Sequence, residues 1–240
     1  MQNRYTGDIG DFGKLGLLRT LAADGFLVGI NWYRTPDETH NDDGRHTGYL
    51  KKPEFRSCDV QLWNTLGEIV ESGIREVYAL ETSGLLKANF YARPLDLSGT
   101  NRTEREALRW EWHCLAMERL CKCDVVFVDP DNGLIVPSAE NTPRSNKYVL
   151  PRELADCYQN GASVIYYQHK ARRSDDFYIE QHKQLISSRD FPRAAGMGLK
   201  FITTSQRFYF FILQPKHASQ IHESVRQMLG TDWRKHFELY

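Results

Sequence analysis

One stretch, Cys-Asp-Val-Val-Phe-Val-Asp-Pro-Asp-Asn-Gly-Leu at residues 123–134, constrains the fold more than any other part of the sequence. Val-Val-Phe-Val lacks the polar alternation of a strand with one wet face, so it predicts a strand covered on both faces. Pro130 cannot continue a central strand, and the Asn-Gly pair at 132–133 is typical of a turn. We therefore expect Asp129 and Asp131 at the carboxyl end of a central strand, where open α/β sheets bind ligands. The alternative is a strand end whose aspartates bond only to loop amides.

The composition of the chain limits its class. Its 240 residues are 41% hydrophobic, which is ample for a core and predicts a single α/β domain over residues 1–240. Lysine plus arginine (31) equals aspartate plus glutamate (31), so nucleic-acid contact requires a local patch. Without a long apolar run or an apolar leader, we expect a cytoplasmic protein that does not contact membranes. Five scattered cysteines predict neither a disulfide framework nor a zinc site.

Helical and strand patterns alternate along the chain. This alternation predicts a doubly wound, mostly parallel sheet with a C-terminal antiparallel hairpin strand. Besides the strand that begins at residue 125, strands are predicted at residues 26–33, 75–81, 162–170, 199–204 and 207–213. Helices are predicted after residue 8 and at residues 58–72, 103–120, 152–159, 175–187 and 217–229.

The first predicted helix is rich in glycine, and each glycine costs about 1 kcal/mol relative to alanine. These glycines indicate either close approach of the backbone to another group or only close packing of the helix on a neighbour. Asp8 or Asp11 is the expected N-cap. Asp11 and Lys14 are candidate substrate contacts.

Two polar loops and one strand end add further candidates at the same sheet edge. The loop at residues 34–50 combines four acids with His40 and His46, which suits Mg²⁺, Mn²⁺ or a polar small molecule, although a solvated surface loop has the same composition. The loop at residues 135–147 is long enough for a substrate lid and contains Arg144 and Lys147. The strand at residues 162–170 ends in polar side chains.

The order of helices and strands is similar to that of class I S-adenosylmethionine-dependent methyltransferases, whose last strand inserts as a hairpin. The stretch at 129–132 resembles the Asp-Pro-Pro-Tyr motif of their amino-methyltransferases: Asp129 and Pro130 match, and Asp131 and Asn132 replace the second proline and the aromatic residue. The resemblance implies that Asp129 and the Pro130 carbonyl hold an exocyclic amine. Tyr167, or its neighbour Tyr166, would supply the stacking surface.

The layout resembles more narrowly the bacterial rRNA adenine methyltransferases of the RlmJ kind. That resemblance implies S-adenosylmethionine as cofactor and nucleic acid or a nucleotide as partner. It places Glu81 at the cofactor ribose and the cofactor loop at residues 33–48, with Tyr33, His40, Asp42, Gly44 and His46. Substrate contacts would come from Asp11, Lys14, Arg144, Lys147, His169 and Lys170, and phosphate contacts also from Arg172 and Arg173. The phrases at residues 3–8 and 41–46 also resemble an uncharacterised bacterial protein family.

Two other functions fit the same residues. Asp129 and the later Gln168-His169-Lys170 resemble the motif of restriction-type nucleases, in which Asp129 and Asp131 would bind Mg²⁺ and Lys170 would stabilise developing charge. Alternatively, the protein is a catalytically inactive module that binds a nucleotide or a protein. The sequence decides neither between these nor the oligomeric state.

Overall fold

The computed structural model describes residues 1–37, 44–203 and 205–240. Its strands are β1 (Val28–Asn31), β2 (Ala88–Tyr91), β3 (Val125–Val128), β4 (Gly133–Leu134), β5 (Tyr148–Val149), β6 (Ser163–His169), β7 (Ala195–Phe201), β8 (Arg207–Leu213) and β9 (Phe237–Leu239). Its α-helices are α1 (Ile9–Ala23), α2 (Pro53–Arg56), α3 (Val60–Glu71), α4 (Val77–Thr82), α5 (Arg102–Leu120), α6 (Pro151–Gln159), α7 (Asp175–Ile186) and α8 (Pro215–Leu229). Short 3₁₀ helices occupy Asn3–Tyr5, Gly48–Lys51, Pro143–Lys147 and Asp232–Lys235.

Seven strands form the central sheet, in the order β2-β1-β3-β6-β8-β7-β9. β2, β1, β3 and β6 pair in parallel, whereas β8 is antiparallel to both of its neighbours. The hairpin of β7 and β8 thus inserts its second strand between β6 and β7. The predicted α/β fold with a mostly parallel sheet and antiparallel strands near the C-terminus is confirmed at this level.

The strand β3 is buried on both faces, as its uninterrupted apolar sequence predicts. Val125 and Phe127 belong to the hydrophobic cluster that α1, α3 and α8 cover. Val126 and Val128 belong to the cluster that α5, α6 and α7 cover. Helices therefore cover both faces of the sheet, so we expect polar side chains that bind a ligand at the ends of the strands.

The predicted strand at residues 75–81 is wrong. Most of this segment lies in α4, where Val77 and Leu80 are buried one helical turn apart and Tyr78 is exposed. The side chain of Asn3 accepts a hydrogen bond from the Val77 amide (3.1 Å), which satisfies a donor at the start of the helix. The strand next to β1 is instead β2, which we expected to be a loop.

Close packing accounts for two of the glycines in α1. A Cβ on Gly13 would lie 2.8 Å from the ring of Phe201, and one on Gly16 would lie 2.3 Å from the ring of Trp233. The helix can therefore approach its neighbours only because these side chains are missing. Among the described residues, no helix is long and apolar enough to cross a membrane.

Candidate functional site

A pocket of about 620 Å³ opens at the carboxyl ends of β3 and β6 and beside the first turns of α1. Most of the predicted site residues line it. They are Asp11, Lys14, Gly44, His46, Asp129, Pro130, Asp131, Asn132, Arg144, Lys147, Tyr167 and His169. Parallel strands bring their carboxyl ends to one edge, which explains why residues so distant in sequence meet here.

The floor of the pocket contains two carboxylates that share one ammonium group. Asp8 caps α1 by accepting from the Gly10 and Asp11 amides, and the helix then presents Asp11 and Lys14 one turn apart. The Lys14 Nζ lies 2.9 Å from Asp11 Oδ1 and 2.5 Å from Asp129 Oδ2. All three side chains are almost completely buried. This cluster joins the first helix to the end of the central strand.

Burial and ion pairing have opposite effects on the pKa values of this cluster. Burial would lower the pKa of Lys14, but Asp11 and Asp129 together raise it above its ordinary value, so the amine stays charged. Burial raises the pKa of Asp129, and Lys14 offsets only part of this effect. Burial likewise raises the pKa of Asp11, and the nearby Asp8 adds to the increase. One lysine therefore compensates two buried acids only in part, which leaves a carboxylate that is suited to taking up a proton.

The second aspartate of the central motif has a different partner. The Met1 amino group lies 2.7 Å from Asp131 Oδ1 and donates to the carbonyls of Tyr33 (2.9 Å) and Asp129 (3.2 Å). Gln2 Nε2 donates to Asp131 Oδ2 at 2.8 Å. Burial would raise the pKa of Asp131, but the Met1 and Gln2 contacts hold it below its ordinary value. Asp131 is thus an anchor for residues 1–2 and stays ionised.

The rim beside β3 carries cations on a loop of fixed shape. Arg144 and Lys147 lie on the 3₁₀ helix Pro143–Lys147, just before β5. The buried guanidinium of Arg109 donates to the carbonyls of Ser145 (2.7 Å) and Tyr148 (2.6 Å) and pairs with Glu153 at 2.6 Å. Because Arg109 binds two carbonyls of this loop, the loop is tied to α5 and α6.

The far wall is formed by the ends of β6 and β8. Tyr167 lines the pocket, whereas Tyr166 points into the core and bonds His182. Arg207 lies 6.0 Å from the centre of the Tyr167 ring, and Tyr5 also lines the pocket. Burial raises the pKa of Tyr167 to about 12, so its hydroxyl stays neutral near pH 7. Tyr167 therefore offers an aromatic face rather than an ionisable group.

Of the predicted cofactor residues that the structure describes, two line the pocket and two do not. Glu81 lies on α4 and accepts from Trp32 Nε1 at 2.9 Å, outside the pocket. Tyr33 is buried and donates from its hydroxyl to Glu153. His40 and Asp42 lie outside the described residues, while Gly44 and His46 line the pocket.

The described residues after β1 do not fit S-adenosylmethionine. Trp32 and Tyr33, both buried, follow β1 at the point where the methyltransferase resemblance places the start of the cofactor loop. The carbonyls of Tyr33 and Asp129 already accept from the Met1 amino group. Since bulky side chains and residues 1–2 fill this end of the strands, we derive no chemistry from that cofactor.

Gln168 and Lys170 of the predicted nuclease motif do not line the pocket with Asp129. Gln168 uses its amide within the fold, accepting from the Leu134 amide (2.9 Å) and donating to the Asn132 carbonyl (3.1 Å). Lys170 lies outside the pocket, 3.4 Å from Asp175. Across residues 1–37, 44–203 and 205–240 there is no group of three or more acids, histidines or cysteines that could hold a metal ion.

Among the pocket residues that were not predicted from the sequence, Arg207 is the one with a detectable signal. It is the only charged residue in Arg-Phe-Tyr-Phe-Phe-Ile-Leu, a strand that is otherwise apolar apart from one tyrosine hydroxyl. A charge at the start of such a strand is a signal, because burying it requires a compensating environment. Asp8, Tyr148, Ser205 and Met1 line the pocket without any comparable signal.

Comparisons with known proteins are sparse. No protein-family model matches the chain, and no curated protein matches it. Among solved structures, the chain is similar to the crystal structure of a Legionella pneumophila protein of family DUF519, at 10% identity and a TM-score of 0.48, over 98% of this chain and 96% of that one. Likeness at this level assigns neither a family nor an activity.

Proposed function

We propose that the pocket binds a nucleotide, or one nucleotide of a nucleic acid, and that the protein is an enzyme acting on its base. The observation that carries this proposal is the Asp11–Lys14–Asp129 cluster, buried at the floor of a pocket whose rim bears Arg144 and Lys147. Cations bind phosphate, and a buried carboxylate with a raised pKa can accept a proton from a base.

Within this proposal, each group has a separate task. Asp129 accepts a hydrogen bond or proton from an exocyclic amine, and Lys14 stabilises the resulting charge distribution without titrating itself. Tyr167 provides a ring on which the base stacks. Arg144 and Lys147 contact phosphate on the loop that Arg109 holds in place.

Two features support a methyltransferase-like enzyme. β8 inserts between β6 and β7, as the last strand does in class I methyltransferases, and Asp129-Pro130 directly follows a central strand of the sheet. We propose no reaction more specific than action on a base, because the described residues after β1 do not form the cofactor site that the resemblance implies.

Thermal unfolding with the four nucleoside monophosphates, each at millimolar concentration, tests the proposal. At least one should raise the melting temperature by several degrees. Asp129→Asn should abolish that increase, whereas the matched control Asp175→Asn, outside the pocket, should retain it. Absence of any shift with all four nucleotides would overturn the proposal. Mass spectrometry of an oligonucleotide incubated with the protein, with and without S-adenosylmethionine, then tests for modification of the base.

A catalytically inactive nucleotide-binding module is the second candidate. The 2.5 Å contact between Lys14 and Asp129 favours it, because a paired carboxylate is a weaker base than a free one. This candidate predicts nucleotide binding without turnover of any base. Turnover of a base by the wild-type protein, at a rate that Asp129→Asn abolishes, would exclude it.

A further inference from the structure

Arg207 is a buried cation whose hydrogen bonds leave part of its guanidinium available. Its side chain lines the pocket, yet the residue is only 6% exposed. Nε and Nη2 both donate to one acceptor, the Ser205 carbonyl, at 3.0 and 2.8 Å. In the part of the chain that the structure describes, no carboxylate forms an ion pair with it. A buried charge in such surroundings favours an anionic ligand, since desolvation without compensation is costly.

The two acids that act on Arg207, Asp8 and Asp11, accept hydrogen bonds from other groups. Asp8 Oδ1 accepts from the amides of Gly10 (2.7 Å) and Asp11 (3.2 Å), as the cap of α1. Asp11 accepts from the Gly7 amide (2.9 Å) and pairs with Lys14. Both acids act on Arg207 through space, and neither accepts a hydrogen bond from it. The negative charges of Asp8 and Asp11 thus attract the guanidinium of Arg207 from one side, and the other side of the guanidinium faces the pocket.

The absence of a side chain at Gly10 makes room for the guanidinium of Arg207. A Cβ at residue 10 would lie 1.9 Å from Arg207 Nη1, so the guanidinium rests directly against the backbone of the first turn of α1. Gly13 and Gly16 pack against aromatic rings, whereas Gly10 makes room for a charged group that faces the pocket. This is the close approach of backbone to a functional group that the glycine-rich segment left open as an explanation.

We propose that Arg207 is the phosphate anchor of the pocket and that the ligand is a nucleoside phosphate rather than a nucleoside. The inference rests on the proposed function, and it names the part of the ligand that the far wall binds. The planar guanidinium presents Nη1 to a phosphate oxygen while Nε and Nη2 stay on the Ser205 carbonyl. Tyr167, beside Arg207, then lies where a base attached to that phosphate can stack.

Isothermal titration of a nucleoside and of its monophosphate against the full chain tests this role. We expect the monophosphate to bind at least tenfold more tightly than the nucleoside. Arg207→Gln should reduce that preference at least fivefold, and inorganic phosphate should compete with the monophosphate for the wild type only. Arg226→Gln, on the exposed face of α8, is the matched control and should keep the full preference.

A second variant protects the test against misfolding. Gly10→Ala leaves Arg207 in the sequence but forces its guanidinium away, so it should also reduce the phosphate preference. Equal binding of nucleoside and monophosphate would overturn the inference, and with it the phosphate contacts of Arg144 and Lys147, but it would leave binding of the base and action on it standing. A preference that survives in both Arg207→Gln and Gly10→Ala would also overturn the inference, because another cation would then hold the phosphate. Binding of neither ligand would overturn the proposed function, and this inference with it.

Discussion

Lys14 and Asp129 are 115 residues apart in sequence, and their charged groups meet at 2.5 Å beneath the pocket. Asp11 shares the same ammonium group at 2.9 Å. Because all three groups are buried, the position of α1 relative to β3 and the chemistry of the pocket depend on one cluster.

Replacing Lys14 should be costly to the fold. Lys14→Met leaves Asp11 and Asp129 buried without their counter-charge, so we expect the free energy of unfolding to fall by about 3–5 kcal/mol at pH 7. Urea denaturation measures this change. In a double-mutant cycle, Lys14→Met combined with Asp129→Asn should cost less than the sum of the single variants. Strict additivity of the two changes would show that the pair is not coupled.

Alanine at two helical glycines should have effects of opposite sign. Gly16→Ala forces a methyl group into the ring of Trp233, and overpacking of this kind costs about 1–3 kcal/mol. Gly67 lies in α3 with its nearest neighbouring atom, Leu50 Cδ2, 3.8 Å from a Cβ. Gly67→Ala should therefore stabilise the protein by up to about 1 kcal/mol through helix propensity alone. The melting temperatures of the two variants give the comparison, and a shift in the same direction would contradict the packing seen for α1.

The Arg109–Glu153 pair should make stability depend on acid pH. Burial would raise the pKa of Glu153, but Arg109 outweighs it and holds this pKa below the ordinary value of 4.5. The pair therefore contributes its full stabilisation above pH 4.5, and loses it as the pH falls through the lowered pKa. Glu153→Gln should cost about 3 kcal/mol at pH 7 and progressively less towards pH 3.

Glu118→Gln, on the exposed face of α5, is the control for that measurement. Its difference from the wild type in urea denaturation should be small across the same pH range. A cost of Glu153→Gln that stays constant down to pH 3 would mean that this carboxylate is not held ionised by Arg109.

His182 should produce a separate loss of stability in weak acid. Burial lowers its pKa to about 4, from the ordinary value of 6.5, while its Nδ1 lies 3.1 Å from the Tyr166 hydroxyl. The unfolded chain binds the proton more readily, so stability should decline by about 3 kcal/mol as the pH falls from 6.5 to 4. Denaturation curves of wild type and His182→Gln should therefore converge over this interval. His222→Gln, at an exposed site on α8, should not reproduce the convergence.

Continuous apolar stretches made much of the sheet predictable. β3, β6 and β8 are buried strands, and their sequences have few alternatives. β7 was predicted at residues 199–204 but spans Ala195–Phe201, since two glycines and a partly exposed start conceal its first half. Residues 75–81 were harder, since a short segment with apolar residues at 77 and 80 suits either a helical turn or a strand. β2 has only four residues, and three of them are half-buried, so no pattern distinguishes it from a loop.

The sequence predicted the edge of the sheet at which the site lies, but it did not predict which residues pair with one another there. Asp129 and Asp131 follow β3, His169 ends β6, and parallel topology brings these strand ends together. That Lys14 meets Asp129 depends on how α1 crosses the sheet, which spacing along the chain does not encode. Arg207 was missed because it begins a strand whose apolar character drew attention to the core.

The insertion of β8 has a consequence for the order of assembly. β7 precedes β8 in the chain, yet β8 lies between β7 and β6. During synthesis, the parallel half of the sheet can form before residue 207 is available, but the far wall of the pocket cannot. A nascent chain would thus have Asp129 at the end of β3 while the pocket was still open on one side, and it would gain a closed site only when the last hairpin docked.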